Sequence, residues 1–441
     1  MILSFVLSLF SMLLLSISYI VTRRRCVDNF ALYALYVFFG SFFLQALGFA
    51  VFDVEYRSID TVPVVSVVDD LHFGALSLFF LSIIVSVFVI LFTRRDSGVA
   101  RTEIMDKNRL YRMSSIVLFL VLVGVLVFAS SSGVGVLALF ENSSKRIVES
   151  VGTAVEFESN GYARFLAGIG GPAFLFYISY FMFYEKKVGK WELVLGGVLF
   201  LSAVLPQYML SARGAALYIF LSIFYMLIIK RLLTVKRLFI GVVVVLMFFS
   251  FLTAARYGDD AHGQGGILYA VESRMFYGGG VSLFNTTIIA KTYHDEGADI
   301  YGGASYLGIL TAPIPRAVWP DKPSFAYDQI VARSIYSIGG FGAQAIPAGV
   351  IGESMMNFGY YLSWVSVAFF VWLSIFIHNR IRSLKWKYYS FVLRGVVYPK
   401  FASKIFASGL GFALMDAVLI LVVVSLLYAY TVTVRRNEHN A

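Results

Sequence analysis

The sequence is poor in charged residues and nearly devoid of cysteine. Charged residues make up 14% of the 441 residues and hydrophobic residues 59%, whereas soluble domains have about 25% charged and about 45–50% apolar residues. So much apolar surface cannot be buried in one or two cores, which excludes a soluble enzyme and a disordered chain. The single cysteine, Cys26, excludes an internal disulfide and a cysteine-based metal site.

Several signatures of common sites are also missing. No His/Asp cluster has metal-ligand spacing, and no phosphate-binding loop or dinucleotide-binding fingerprint occurs. We therefore expect no metal and no cofactor. There is no internal repeat, and no inverted pair of segments broken by glycine or proline of the kind found in transporters.

The chain instead contains many apolar runs of roughly the 20 residues that cross a bilayer as a helix. The sequence predicts an all-α polytopic membrane protein with about 11 transmembrane helices, 10 to 12 being compatible with the pattern. The tenth span is the weakest, because it contains Arg394, Pro399, Lys400 and Lys404, and it could be re-entrant or interfacial. The predicted spans are 1–21, 30–52, 73–92, 114–138, 165–184, 191–211, 214–229, 238–255, 347–377, 388–406 and 411–432.

The distribution of charge predicts the orientation of these spans. Basic residues of short loops lie on the cytoplasmic side, and Arg23, Arg24 and Arg25 directly follow the first span. With that side inside, successive loops give a net charge of +15 inside and −7 outside, and the weak tenth region adds +2 to reach the total of +10. The N-terminus is then outside and the C-terminus inside. The positive charge is explained by orientation, so we expect no nucleic-acid partner.

One integral domain is expected, with three segments along the chain. Residues 1–255 form an N-terminal membrane region of about eight transmembrane helices, and 347–441 form a C-terminal membrane region of two or three. Between them, 256–346 form a large outer loop of about 91 residues. A structureless loop of that length is uncommon, so we expect short helices lying on or dipping into the membrane face.

Basic residues on the acidic outer side oppose the topological bias. Arg213 lies between two apolar spans with almost no loop, and an ionisable residue at such a depth is a functional candidate, although snorkelling to lipid headgroups is the alternative. Arg316 lies in a stretch with four prolines in eleven residues. Proline fixes the backbone, and a stiff cationic segment loses little ordering entropy when it binds phosphate.

The large loop and the helix after it hold the other candidates. Arginine presents a planar fork that matches phosphate oxygens, and lysine adds a point charge. Glu353, in the first turns of the ninth span, is a candidate base or a structural partner of an arginine. The loop also contains two of the five histidines, His262 and His294, of which His262 joins the predicted site. The further candidate phosphate ligands are Arg256, Arg274 and Lys322.

Five short motifs follow one another along the chain. They are Ser211-Ala212-Arg213-Gly214, Glu272-Ser273-Arg274, Pro313-Ile314-Pro315-Arg316, Trp319-Pro320-Asp321-Lys322-Pro323, and Gly352-Glu353 followed by Asn357-Phe358-Gly359. In this order they resemble a known family, the Wzy-type polymerases of O-antigen and enterobacterial common antigen, which join oligosaccharide repeat units of bacterial surface polysaccharides. The resemblance is clearest over about 200–360, and the hydropathy profile extends it over the whole chain.

The resemblance implies a glycosyltransferase of the bacterial inner membrane with a GT-C-like helical fold. Its substrate would be an undecaprenyl-pyrophosphate-linked oligosaccharide, polymerised at the periplasmic face, and its partners would be membrane lipids, a chain-length regulator and a flippase. Arg213, Arg274 and Arg316 match the family's motif arginines, which are thought to face the pyrophosphate. The family often has a further arginine just before the last span; residues 406–409 contain none, and Arg394 or Lys404 are possible substitutes.

Other functions compatible with the sequence use the same lipid-linked substrate. An O-antigen ligase would transfer the glycan to lipid A core, and ligases also have a large periplasmic loop with arginine and often a histidine. A flippase or transporter would bind the pyrophosphate without chemistry, although the missing repeats and the charge concentrated in one loop argue against it. A purely structural membrane subunit would leave the arginines at the outer interface unexplained.

Overall fold

In a computed structural model, almost all of the described chain is helical. The apolar runs form helices because a helix satisfies its own backbone hydrogen bonds, which a lipid environment requires. The all-α membrane fold expected from the sequence is confirmed at this level. The structure describes residues 2–24, 42–43, 45–47, 70–93, 103–131, 161–184, 187–209, 213–230, 283–295, 299–306, 349–408 and 410–433, with single positions 232, 236, 240, 241, 243, 247 and 319.

Most of the described helices coincide with predicted spans, although the helix Lys107–Ser131 begins seven residues before its predicted span and the helix Leu283–Asp295 lies in the predicted outer loop. In chain order they are α1 (Ile2–Arg24), α2 (Leu71–Phe92), α3 (Lys107–Ser131), α4 (Gly161–Gly168), α5 (Gly170–Tyr184), α6 (Lys190–Met209), α7 (Arg213–Ile229), α8 (Leu283–Asp295), α9 (Gly349–Arg382), α10 (Lys387–Val392), a π-helix (Leu393–Val397), α11 (Tyr398–Ser408) and α12 (Leu410–Thr431). Two strands of two residues each, β1 (Ile104–Met105) and β2 (Val432–Thr433), pair antiparallel.

Five helices in the described part of the chain are long and apolar enough to cross a membrane. They are Ile2–Thr22, Leu71–Phe92, Lys107–Ser130, Phe165–Tyr184 and Gly349–Arg382. Most of the predicted spans 30–52 and 238–255 lies outside the described residues. The protein is therefore a membrane-embedded helical protein, and the count of eleven spans stays a prediction.

The weak tenth span is a helical run from Lys387 to Ser408 with one π-helical turn in its middle. Its low hydropathy has a structural reason, because much of it is enclosed by protein rather than lipid. Tyr388, Val392 and Val396 are completely buried. Inside a bundle, polar residues find partners that lipid cannot offer: Lys400 lies over the ring of Tyr218, with 5.0 Å from its Nζ to the ring centroid.

The chain forms two compact units, each assembled from distant segments. The first contains 1–95, 271–379 and 401–416, and the second contains 96–270, 380–400 and 417–441. Each unit draws on more than one of the three predicted segments, and that division along the chain stays a prediction.

In the first unit, α2 is the element on which the others pack. Helix α1 lies against it and carries a buried row of small polar residues. The hydroxyls of Ser8, Ser11, Ser18 and Thr22 donate to carbonyl oxygens of preceding residues in the same helix. Helix α8 approaches so closely that a Cβ at Gly74 would lie 2.7 Å from the Leu283 carbonyl oxygen. The buried row on α1 consists of Ser4, Ser8, Ser11, Ser18 and Thr22.

In the second unit, a buried carboxylate holds the start of α10. Glu103, just before β1, is 2% exposed. It accepts the backbone N–H groups of Tyr388 at 3.0 Å and Tyr389 at 3.1 Å, and the Tyr428 hydroxyl at 3.1 Å. The N-cap residue of α10, Trp386, makes no side-chain cap. Glu103 therefore supplies from another segment the acceptor that a helix start needs.

We expect Glu103→Ala to lower the free energy of unfolding by about 2–4 kcal/mol, because two backbone donors and one hydroxyl lose a buried charged acceptor. Denaturant or thermal unfolding of the purified protein in detergent measures the loss. The matched control is Asp106→Ala, which removes an exposed carboxylate that caps the start of α3. This variant is expected to lower the free energy of unfolding by about 1 kcal/mol. Equal effects of the two variants would contradict the role given to Glu103.

Candidate functional site

The structure describes one side chain of the predicted site, that of Glu353. Arg213 is the first residue of α7, and its side chain is outside the described residues. The other predicted site residues, Arg256, His262, Arg274, Arg316 and Lys322, also lie outside them. The described part of the predicted site is therefore Glu353 and its surroundings in the first unit, and the predicted cation set remains a prediction.

Glu353 is buried near the beginning of α9 and is 1% exposed. The Oγ of Ser305 donates a hydrogen bond to its Oε1 at 3.0 Å. Ser305 belongs to residues 299–306, a short segment of the large loop, which we call the docked segment. A carboxylate this deeply buried requires polar partners, and Ser305 ties it to the loop.

The docked segment lies along the first turns of α9 through a set of hydrogen bonds centred on Asn357. The Nδ2 of Asn357 donates to Ser305 Oγ at 2.7 Å and to the Glu353 carbonyl oxygen at 2.8 Å. Its Oδ1 accepts the Ser305 N–H at 3.4 Å. Gly302 and Gly303 have φ values of 57° and 88°, a turn that favours glycine.

A break at Gly359 makes this docking possible. Gly359 has φ 73° and ψ 175° inside α9, so the helix is interrupted there. Just before the break, the carbonyl oxygen of Met356 accepts the Tyr301 N–H at 3.0 Å, and that of Asn357 accepts the Gly302 N–H at 2.9 Å. The three polar and glycine positions of the Glu353, Asn357 and Gly359 motif thus share one task, which is to fix the docked segment against α9.

We expect Gly359→Ala to destabilise the protein by about 1–3 kcal/mol, because φ and ψ at this position are accessible almost only to glycine. A Cβ there would also lie 3.1 Å from Ile300 Cδ1 of the docked segment. Gly197→Ala is the matched control, since a Cβ at that helical position meets nothing within 4 Å, and alanine is expected to stabilise the helix slightly. Thermal unfolding of both variants in detergent tests this; no loss for Gly359→Ala would contradict it.

A second polar group extends from the docked segment into α9. The Tyr306 hydroxyl lies 3.3 Å from Ser366 Oγ, and Ser354 Oγ donates to the same Ser366 Oγ at 3.2 Å. Burial, with the negative charge of Glu353, raises the pKa of Tyr306 to about 12. Its hydroxyl is therefore protonated at neutral pH and available as a hydrogen-bond donor.

Beside the docked segment, the end of α8 presents a histidine that the predicted site does not include. Asp295 Oδ1 lies 2.5 Å from His294 Nδ1. The exposed fraction of the side chain is 34% for His294 and 42% for Asp295. The His294 ring contacts Phe73 of α2, with centroids 5.3 Å apart, and Tyr360 of α9, with centroids 4.9 Å apart. The signal in the sequence that could identify this histidine is the aspartate directly after it.

The first unit thus contains two kinds of polar group with different chemical uses. Glu353 is enclosed and positions a loop segment, whereas His294 is reachable from outside the protein and has a carboxylate on one ring nitrogen. Within the described ranges no group of three or more His, Cys, Asp and Glu residues could hold a metal ion.

Comparisons with known proteins give no family for this chain. No protein-family model matches it, and neither a curated protein nor a solved structure is significantly similar to it.

Proposed function

We propose that the protein polymerises undecaprenyl-pyrophosphate-linked oligosaccharide repeat units into a surface polysaccharide such as O-antigen. In this proposal it is a GT-C-like glycosyltransferase of the bacterial inner membrane with about eleven spans and an active site that faces the periplasm. The growing chain moves from its lipid carrier to the incoming repeat unit, and undecaprenyl pyrophosphate leaves. A chain-length regulator and a flippase are its proposed protein partners.

The observation that carries the proposal is the excess of arginine on a side of the membrane where charge is otherwise negative. Arg213, Arg274 and Arg316 occur there in the order of the family's motifs. The helical membrane fold and the apolar spans support the setting. Further support comes from the motif of Glu353, Asn357 and Gly359, which holds the docked segment, a part of the same loop.

The proposed task of the cations is to stabilise the leaving pyrophosphate. Charge develops on that group as the sugar–phosphate bond breaks, and preorganised cations in a site with little water stabilise it most effectively. Arginine contributes paired hydrogen bonds to phosphate oxygens. Besides Arg213, Arg274 and Arg316, the proposed ligands are Arg256 and Lys322.

The acceptor hydroxyl must lose its proton during the transfer, and a positioned side chain has to receive it. Glu353 and His262 are the two predicted candidates. In the structure Glu353 is buried and bonded to Ser305, a setting that favours a role in holding the docked segment. A more exposed group of the same unit is therefore better suited to accept the proton.

The decisive experiment incubates the purified protein with one defined lipid-linked repeat unit, without nucleotide sugars, and separates the products by size. A ladder of longer glycans on the lipid carrier is the expected result. Transfer to added lipid A core without a ladder would instead identify a ligase, and unchanged substrate that crosses the bilayer of a proteoliposome would identify a flippase. Either result would overturn the proposal.

A further inference from the structure

We propose that His294 and Asp295 form the proton-accepting pair that activates the acceptor sugar, beside an aromatic surface made by Tyr360 and Tyr361. The inference rests on the proposed function and assigns one part of that reaction to residues of α8 and α9.

The hydrogen bond between the two side chains prepares His294 for this task. Asp295 Oδ1 lies 2.5 Å from Nδ1, and a carboxylate accepts but does not donate when ionised. The neutral imidazole therefore carries its proton on Nδ1, which leaves the lone pair on Nε2. Nε2 has no hydrogen-bond partner among the residues that the structure describes. A carboxylate on one nitrogen and an open second nitrogen are what a general base requires.

Contacts from two other helices fix the direction of the His294 ring. Tyr360 meets it edge to face, with an interplanar angle of 83° and centroids 4.9 Å apart. Phe73 lies on another side at 5.3 Å. A side chain held by packing and by a hydrogen bond loses little freedom when the substrate binds, and such preorganisation is what positions a catalytic group.

The same contacts create a surface that suits a sugar ring. Tyr361 is 78% exposed and stands nearly perpendicular to Tyr360, at 86°, with its own ring centroid 6.2 Å from that of His294. A pyranose has an apolar C–H face and a rim of hydroxyl groups. Tyrosine combines an apolar ring with a polar hydroxyl, so the exposed ring of Tyr361 offers a flat contact for the sugar face near the imidazole that would bond a sugar hydroxyl.

Glu353 serves this arrangement indirectly. It holds the docked segment through Ser305, and the docked segment bonds the carbonyl groups that precede the break at Gly359. Tyr360 and Tyr361 are the first two residues after that break. The buried carboxylate is thus a positioning residue, which fixes where α9 resumes and therefore where Tyr360 meets His294.

The proposed step is balanced without any further reactant. The hydroxyl oxygen of the acceptor sugar attacks the anomeric carbon of the donor and forms the new glycosidic bond, while its proton passes to His294 Nε2. The bond between the anomeric carbon and the phosphate oxygen breaks, and the electron pair leaves with undecaprenyl pyrophosphate. Asp295 stabilises the imidazolium that results, because an opposite charge close by favours the charged form.

The groups around His294 define what a pH profile would report. Protonation of the imidazole would remove the lone pair, so the proposed base role predicts a rate that falls toward acidic pH. Lys291 and Asp70 already form an ion pair between α8 and α2. The titratable or charged side chains at the start of α2, in the last turns of α8 and directly after the break at Gly359 are Asp70, His72, Lys291, Tyr293, Asp295, Tyr360 and Tyr361.

The test compares His294→Gln and Asp295→Asn with the control His72→Gln. His72 lies in the first turn of α2, beside Phe73. Initial rates of chain elongation on a defined lipid-linked repeat unit are measured from pH 5 to 8. We expect His294→Gln to lower the rate by about 10²-fold or more and to lose the decline toward acidic pH. Asp295→Asn should give a smaller loss, and His72→Gln should behave as wild type.

A wild-type rate and pH profile for His294→Gln would overturn the inference, and so would an equal loss in His72→Gln. Membrane levels and thermal unfolding midpoints establish that the variants fold. If His294→Gln does not accumulate, Asp295→Asn decides the matter, because a merely structural carboxylate would leave the pH profile in place. A wild-type protein that makes no ladder refutes the proposed function itself, whereas an active wild type with an unaffected His294→Gln refutes this inference alone.

Discussion

Replacing Arg213, Arg274 or Arg316 by alanine is expected to lower the rate of chain elongation by about 10²–10³-fold each, the loss typical when one preorganised donor to a developing anion is removed. The chain carries these three arginines on the predicted outer side, where the net charge is −7. Lysine at the same positions keeps the charge and loses the planar fork. We therefore expect lysine variants to recover part of the rate.

The measurement is the yield and length distribution of polymer from the purified protein, at equal protein levels in the membrane. Arg109→Ala is the matched control: Arg109 pairs with Asp106 at an exposed site at the start of α3 and lies on the predicted cytoplasmic side. It should leave the polymer unchanged. Full polymer length and yield in all three alanine variants would contradict a pyrophosphate role for these arginines.

The second large effect is expected at Glu353. Glu353→Ala should lower the free energy of unfolding by about 2 kcal/mol or more, because Ser305 loses a buried hydrogen-bond acceptor. The rate of elongation should fall by about tenfold or more, since the docked segment and the break at Gly359 are then less firmly held. Unfolding in detergent and elongation rates on the same preparations measure both quantities.

Glu353→Gln separates a positioning role from a catalytic one. Glutamine keeps an Oε1 that can accept the hydrogen bond from Ser305 Oγ and has nearly the same shape, so we expect stability and rate to stay within a few-fold of wild type. A glutamine variant that folds with normal stability but is as inactive as the alanine variant would show that the charge itself is needed. That result would return the role of proton acceptor to Glu353.

The helices could be predicted because their cause is local. Each apolar run long enough to cross a bilayer satisfies its backbone within itself, and α1, α2, α6 and α7 begin and end near the predicted bounds. The tenth span was the hardest to predict, since its partners come from elsewhere in the chain. Tyr218 of α7, for example, bonds the Val396 carbonyl oxygen at 2.7 Å, and no local pattern reveals such a neighbour.

The sites show the same division between local and distant causes. Glu353 stood out as a carboxylate at the start of an apolar span, but its burial and its bond to Ser305 depend on a contact across 48 positions of the chain. In the sequence, His294 is only one of two histidines of the large loop. Its orientation depends on Phe73 and Tyr360, which are 221 residues away in one direction and 66 in the other.

The sequence by itself determined that this is a helical membrane protein. It also predicts how the loop charges orient the protein and which arginines lie on the side that this orientation disfavours. Those properties depend on composition and on the order of residues, so they need no knowledge of contacts. Only the tertiary structure decided that the Glu353, Asn357 and Gly359 motif anchors a loop segment and that His294, with Asp295, is exposed beside two tyrosines. Burial and hydrogen-bond partners arise when distant segments pack together, and no single stretch of the sequence predicts that packing.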